Sequence, residues 1–101
     1  MMAEFLLREY LADSGVMILE TQDFDFDSFP RLGARLVELL PAAVIEKQCD
    51  ADIHTWLIDF EGTRLFLKAE HYASALWLEA LNPAEDRETT DFLARILTQG
   101  L

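Results

Sequence analysis

The segment from residue 43 to residue 81 has the least freedom of any part of this sequence. It divides into four runs, at 43–49, 53–60, 63–70 and 75–81, each rich in β-branched, aromatic or leucine residues. The breaks between them carry turn chemistry: Cys49-Asp50-Ala51-Asp52, then Glu61-Gly62, then His71-Tyr72-Ala73-Ser74. Connections this short join antiparallel neighbours and leave no room for a crossover helix. The four runs therefore predict an antiparallel meander.

The flanks add to that sheet. Residues 4–10 and 16–21 alternate as strands do, and Ala12-Asp13-Ser14-Gly15 between them supplies a hairpin loop of four or five residues, with Gly15 free to take positive φ. Phe29, Leu32, Leu36, Val37 and Leu40 then recur at helical spacing, with Arg31, Arg35 and Glu38 on the other side. Asp27 or Ser28 is the expected cap, Pro30 suits the first turn, and Pro41 stops the helix. Gly33 sits inside this helix at a cost of about 1 kcal/mol against alanine, which close packing on a sheet would justify. A last helix is expected from Asn82-Pro83-Ala84-Glu85, with Phe92, Leu93, Ile96 and Leu97 on its apolar face and Gly100 as its stop. Its solvated middle, Asp86-Arg87-Glu88, allows a later start. The order is β-β-α-β-β-β-β-α. It predicts a two-layer α+β domain, residues 1–101, with two helices on one face of a mostly antiparallel sheet.

The Glu61-Gly62 hairpin can close in two registers. A two-residue loop sets Ile58 against Leu65, Trp56 against Leu67, Asp59 against Arg64 and Thr55 against Lys68, which sorts apolar groups to one face. A bulged loop sets Trp56 against Phe66, His54 against Lys68 and Ile58 against Arg64, mixing apolar with charged partners. Register follows the hydrophobic pattern, so the first is preferred. In that register His54 lies diagonal to His71 on one face, with Asp52 opposite His71 and Cys49 near the same end.

Nineteen acidic residues against eight basic ones give a net charge of −11. Such a field repels phosphate backbones and anionic membrane surfaces, so direct nucleic-acid and membrane binding are not expected. Its plain meaning is solubility; its sharper one is a docking surface for a basic partner. Cys49 is the single cysteine, which fits a reducing compartment. The N-terminus, Met1 to Glu9, has no basic lead and its apolar run is broken after three residues, so it does not read as a signal peptide. The expected location is the cytoplasm.

The chemistry-bearing residues form no established motif. Asp23, Asp25 and Asp27 resemble the start of a calcium loop, but Ser28 and Ala34 stand where its glycine and bidentate glutamate belong. They read better as solvent-facing residues near a helix N-terminus, with Phe24 and Phe26 turned inward. Asp52, His54 and His71 are ligand types that zinc takes, and with Glu70 they outline a small metal-binding or hydrolytic alternative. The plainer reading is a polar, solvated rim at strand ends, with no metal. No cofactor is implied, and the chain reads as non-enzymatic.

The aromatic residues point elsewhere. Ala75-Leu76-Trp77-Leu78-Glu79-Ala80-Leu81 is apolar on both faces, although helices cover only one face of a two-layer fold. Large apolar groups left on the open face mark an interface. Trp56, Phe66 and Trp77 are the expected contacts, with His54, Asp59 and Glu79 at the rim. The partner is another protein or a second copy of the chain. An acidic decoy that occupies a basic surface is a further alternative.

The segments Asp25-Phe26-Asp27-Ser28-Phe29-Pro30, Glu46-Lys47-Gln48, Ala51-Asp52-Ile53-His54-Thr55-Trp56, Asp59-Phe60-Glu61-Gly62, Glu70-His71 and Leu76-Trp77-Leu78-Glu79 together resemble a small family of uncharacterised gammaproteobacterial proteins. The resemblance spans nearly the whole chain. It implies a free-standing bacterial protein of this length and assigns no activity, ligand or site residue.

Overall fold

Period-two alternation produces strands wherever it was read. A computed structural model describes residues 3–101; Met1 and Met2, which head the segment read above as no signal peptide, lie outside the described residues. Among the described residues the order is β1 (Phe5–Leu11), β2 (Val16–Thr21), α1 (Phe29–Leu39), β3 (Ala43–Asp50), β4 (Ile53–Phe60), β5 (Thr63–Glu70), β6 (Ala75–Ala80) and α2 (Arg87–Gln99), with a 3-10 turn at Ala12–Ser14. The α+β class and the β-β-α-β-β-β-β-α order are as expected. The sheet runs β1-β2-β6-β5-β4-β3, and all its pairs are antiparallel. The meander β3 to β6 is contiguous, and the β1–β2 hairpin joins it along β6.

The β4–β5 hairpin adopts the apolar-sorting register. Ile58 pairs with Leu65, Trp56 with Leu67, Asp59 with Arg64 and Thr55 with Lys68. Its loop is the two residues Glu61 and Gly62, with φ of 51° and 89°. Positive φ at both positions is the mirror-image turn that matches strand twist. Asp59 Oδ1 accepts the Gly62 N–H at 2.9 Å and closes the turn. Asparagine takes positive φ more readily than glutamate. Glu61→Asn is therefore expected to raise stability, read as a higher urea midpoint; a lower midpoint would count against this turn type.

One face of the sheet carries the core. Met17, Leu19, Trp56, Ile58, Leu65, Leu67, Leu76 and Leu78 are all buried on it, beneath both helices. From α1, Phe29, Leu32, Leu36 and Val37 point down, and from α2, Thr90, Leu93, Ala94 and Leu97. A Cβ added at Gly33 would lie 2.9 Å from Trp56 Cζ3 and 3.0 Å from Phe29 Cζ. The glycine thus lets α1 sit directly on the indole. α2 packs on β1 and β2, where Tyr10 donates to Asp91 Oδ1 at 2.6 Å and meets Thr90 Oγ1 at 2.7 Å. Burial pushes the Tyr10 phenol up, helped by Asp91, and the Tyr10 hydroxyl in turn holds the Asp91 carboxyl down.

Two helix starts differ from expectation. Neither Asp27 nor Ser28 caps α1 through its side chain. Instead Asp25 and Ser28 bond each other reciprocally: Asp25 N–H donates to Ser28 Oγ, Ser28 N–H donates to Asp25 Oδ1, and Phe29 N–H then reaches the Asp25 carbonyl. The cap signal at Asn82 is spent on a turn. Asn82 Oδ1 accepts the Glu85 N–H and its carbonyl accepts the Asp86 N–H. That closes residues 82–86 on themselves, and α2 begins at Arg87.

Candidate functional site

Two groups of residues stand out, one on each side of the sheet. The first is the face without helices. Cross-strand pairing lines up Glu9, Ile18, Trp77, Lys68, Thr55 and Gln48 in one row. The adjacent row is Leu11, Val16, Glu79, Phe66, Leu57 and Glu46. Ile18, Trp77, Phe66 and Leu57 remain half-buried there, and Leu11 is exposed. At the centre, Trp77 Nε1–H donates to Glu79 Oε1 at 3.0 Å, Lys68 Nζ lies 3.7 Å from the same oxygen, and Lys68 also sits 5.2 Å from the centre of the Phe66 ring. Glu79 and Lys68 neutralise each other between the aromatic rings. Beside them Gln48, Asp50, Ile53, Thr55, Lys68 and Trp77 line a hollow of about 250 Å³. The charge around this apolar centre is mostly acidic: Glu9, Glu20, Glu46, Asp50 and Glu70 belong to the same face, against Arg64, which pairs with Asp59.

Of the residues expected to make contacts, Phe66, Trp77, Glu79 and Asp59 reach this open face. Trp56 does not. At 2 % exposure it lies under α1, against Phe29 and Gly33, with Lys47 Nζ 4.3 Å from its ring centre. It is a core residue, because strand alternation sends it to the face opposite Leu57 and Phe66. Asp59 spends one carboxylate oxygen on its own turn. His54 is likewise on the covered side.

The second group is around that histidine. His54 Nδ1 and His71 Nε2 are 2.6 Å apart, in a hydrogen bond whose direction depends on the tautomer. The β4–β5 register carries on past the strand ends, where His71 N–H donates to the Asp52 carbonyl at 2.8 Å. Phe26 packs 4.5 Å from the His54 ring and 5.3 Å from the His71 ring, Phe29 4.9 Å from His54, and Phe24 5.8 Å from His71. His54 is 7 % exposed and His71 is half-buried with its Nδ1 enclosed, so the expected solvated rim is replaced by a largely covered pair. Burial, and then the neighbouring His71, hold the His54 imidazole below its ordinary value. His71 Nδ1 is buried without a hydrogen-bond partner among the described residues.

The metal alternative loses its carboxylates. Glu70 lies on the open face, and its oxygens accept the Tyr72 and Ala73 N–H groups. Asp52 is exposed and gives His71 its backbone carbonyl. Cys49 pairs with His54 across β3 and β4 and is exposed. Among the described residues no group of three or more His, Cys, Asp or Glu side chains is placed to hold a metal ion, and no helix is long and apolar enough to cross a membrane. Diagonal register made the histidine pairing readable in advance. Its enclosure was missed, because the segment carrying Phe24 and Phe26 reaches it from outside the sheet.

No curated protein and no solved structure matches the chain. Residues 5–98 match the family described as Protein of unknown function (DUF3630). That match takes in the whole sheet, α1 and nearly all of α2, and the chain belongs to this family of unknown function.

Proposed function

We propose that this chain is a protein-interaction module whose open sheet face receives an apolar partner surface bordered by basic residues. The observation that carries this reading is the pair of adjacent rows that bring half-buried Ile18 and Trp77 beside half-buried Phe66 and Leu57 on the face that neither helix covers. A few anchoring residues carry most of the binding energy at protein interfaces, and tryptophan is enriched among them. The hollow beside Trp77 would receive one side chain of the partner. The acidic border selects for basic surroundings and against a second copy of this chain, whose border would carry the same sign. Acidity alone, as in a decoy for a basic surface, would need no apolar row.

Designed amphipathic peptides separate these readings. A helical leucine–lysine peptide is expected to bind the wild type at least tenfold more tightly than a leucine–glutamate peptide of equal length, and more weakly as salt rises. Phe66→Ala combined with Trp77→Ala should lower that affinity at least tenfold, with the urea midpoint measured alongside to confirm folding. Unchanged affinity in the folded double variant would overturn the proposal. A serine–lysine peptide binding as well as the leucine–lysine one would reduce the face to its charge.

A further inference from the structure

The histidine pair has a restricted set of protonation states. Its four ring nitrogens comprise the two in contact, His54 Nδ1 and His71 Nε2, and the two outer ones, His54 Nε2 and His71 Nδ1. The contact holds one proton. A neutral pair has one more, and it can sit on His54 Nε2, leaving His71 Nδ1 as a bare lone pair. A pair with one added proton must fill both outer nitrogens. It therefore always creates a His71 Nδ1–H, a buried donor with no partner among the described residues, on a group that now carries positive charge. An orphaned buried donor and an unpaired buried charge are each costly. A fourth proton breaks the contact itself.

The enclosure resisting this charge combines Phe29 of α1 with one irregular segment. Phe24 and Phe26 reach the imidazoles from residues 22–28, which form no strand or helix, and Phe26 is itself 41 % exposed. The segment's hydrogen bonds are local: Asp25 and Ser28 bond each other, Phe29 N–H donates to the Asp25 carbonyl, and Leu32 N–H donates to the Ser28 carbonyl. We infer that the His54–His71 pair is a proton-operated latch, which keeps Phe24 and Phe26 folded over this end of the sheet at neutral pH and releases them on mild acidification. Release hydrates the imidazoles and uncovers the aromatic surface of Phe24, Phe26 and Phe29.

The surrounding charges do not reverse the direction. Asp25, on the segment itself, places a carboxylate near His71, but it is solvent-exposed and already accepts the Ser28 N–H. Asp23 and Asp27 are exposed on the same segment. From β3, Cys49 stands opposite His54, and Lys47 lies over Trp56. Asp52 offers His71 its carbonyl, and Glu70 is tied to the following turn on the other face. His54 lies below the ordinary histidine value of 6.5 for reasons of burial first and His71 second. The closed state therefore binds fewer protons than the open one. Closure is fully favoured above that value and is lost as pH falls beneath it.

Amide hydrogen exchange at about pH 7.5 and about pH 5.5, corrected for intrinsic rates, tests the latch across the range where histidine titrates. Protection of the Asp25, Ser28 and Phe29 amides should fall at least tenfold on acidification while that of α2 holds. Equal protection at both pH values, or a loss shared equally with α2, would overturn the inference. The double variant His54→Phe/His71→Phe should show no such pH dependence, and retention of it would count equally against the latch. Should that variant not fold, NMR titration of the wild-type histidine ring protons decides. A His54 midpoint below that of a free histidine, moving together with the Phe26 resonances, is expected. Two ordinary midpoints with Phe26 unmoved would refute it.

Discussion

Trp56→Ala is expected to cost about 3–5 kcal/mol, a large share of the stability of a domain this size. The indole is 2 % exposed and fills the space between β4 and α1. Phe29 meets it edge-on at 5.1 Å, and the Gly33 backbone lies directly on its six-membered ring. Neither neighbour can collapse far into the void, because both belong to the same helix. The contact with Gly33 makes a sharper test. Gly33→Ala alone should cost about 1–3 kcal/mol from overpacking, offset in part by about 1 kcal/mol of helix propensity. In the Trp56→Ala background only the contact with Phe29 Cζ remains, the far end of a side chain that can turn into the vacated space, and the same substitution should stabilise. Urea unfolding of the four proteins would reveal the change of sign. Equal costs in both backgrounds would mean that α1 does not rest on the indole.

Gly15→Val is the other large effect, on the order of 3 kcal/mol. Gly15 has φ of 66° at the end of the 3-10 turn, a conformation a β-branched residue strongly resists. A Cβ there would also lie 2.9 Å from Ala80 Cβ and 3.2 Å from Pro83 Cβ. These neighbours are short or ring-closed side chains, so they yield only by backbone movement. The Gly15 carbonyl meanwhile accepts the Ala80 N–H at 2.9 Å and helps hold β2 to β6. Thermal unfolding should show a loss of about 12–24 °C, at roughly 4–8 °C for each kcal/mol in a domain of this size. A melting point within a degree or two of the wild type would show that the turn tolerates a side chain.

What could be read in advance depended on whether neighbours in space were neighbours in sequence. The runs 53–60 and 63–70 have the ends expected of them, because two adjacent residues with turn chemistry set both limits. Sorting of apolar from charged partners then selected the register and placed His54 near His71. Gly33 was readable as a contact between helix and sheet, though its partner, Trp56, was assigned to the opposite side. Alternation says that residues 56 and 57 part company, without saying which of them the helices cover. Asn82-Pro83-Ala84-Glu85 carried a correct local signal with the wrong consequence: asparagine closes a turn as readily as it starts a helix. The aromatic cover over the imidazoles was the least legible feature, since it needs the path of an irregular segment across the sheet.

The strand order has a consequence for how the chain reaches this structure. β6 is the last strand in sequence but lies at the middle of the sheet, with β2 on one side and β5 on the other. β2 is made early, yet its second partner lies more than half the chain away, as in Ile18 with Trp77. During synthesis the first hairpin therefore emerges with its inner edge bare and waits for residues 75–80. Pairings of such long sequence separation slow folding, and bare edges invite association between nascent chains. The meander from β3 to β6 is the natural first unit to form, and docking of the N-terminal hairpin onto β6 is the natural last and rate-limiting step.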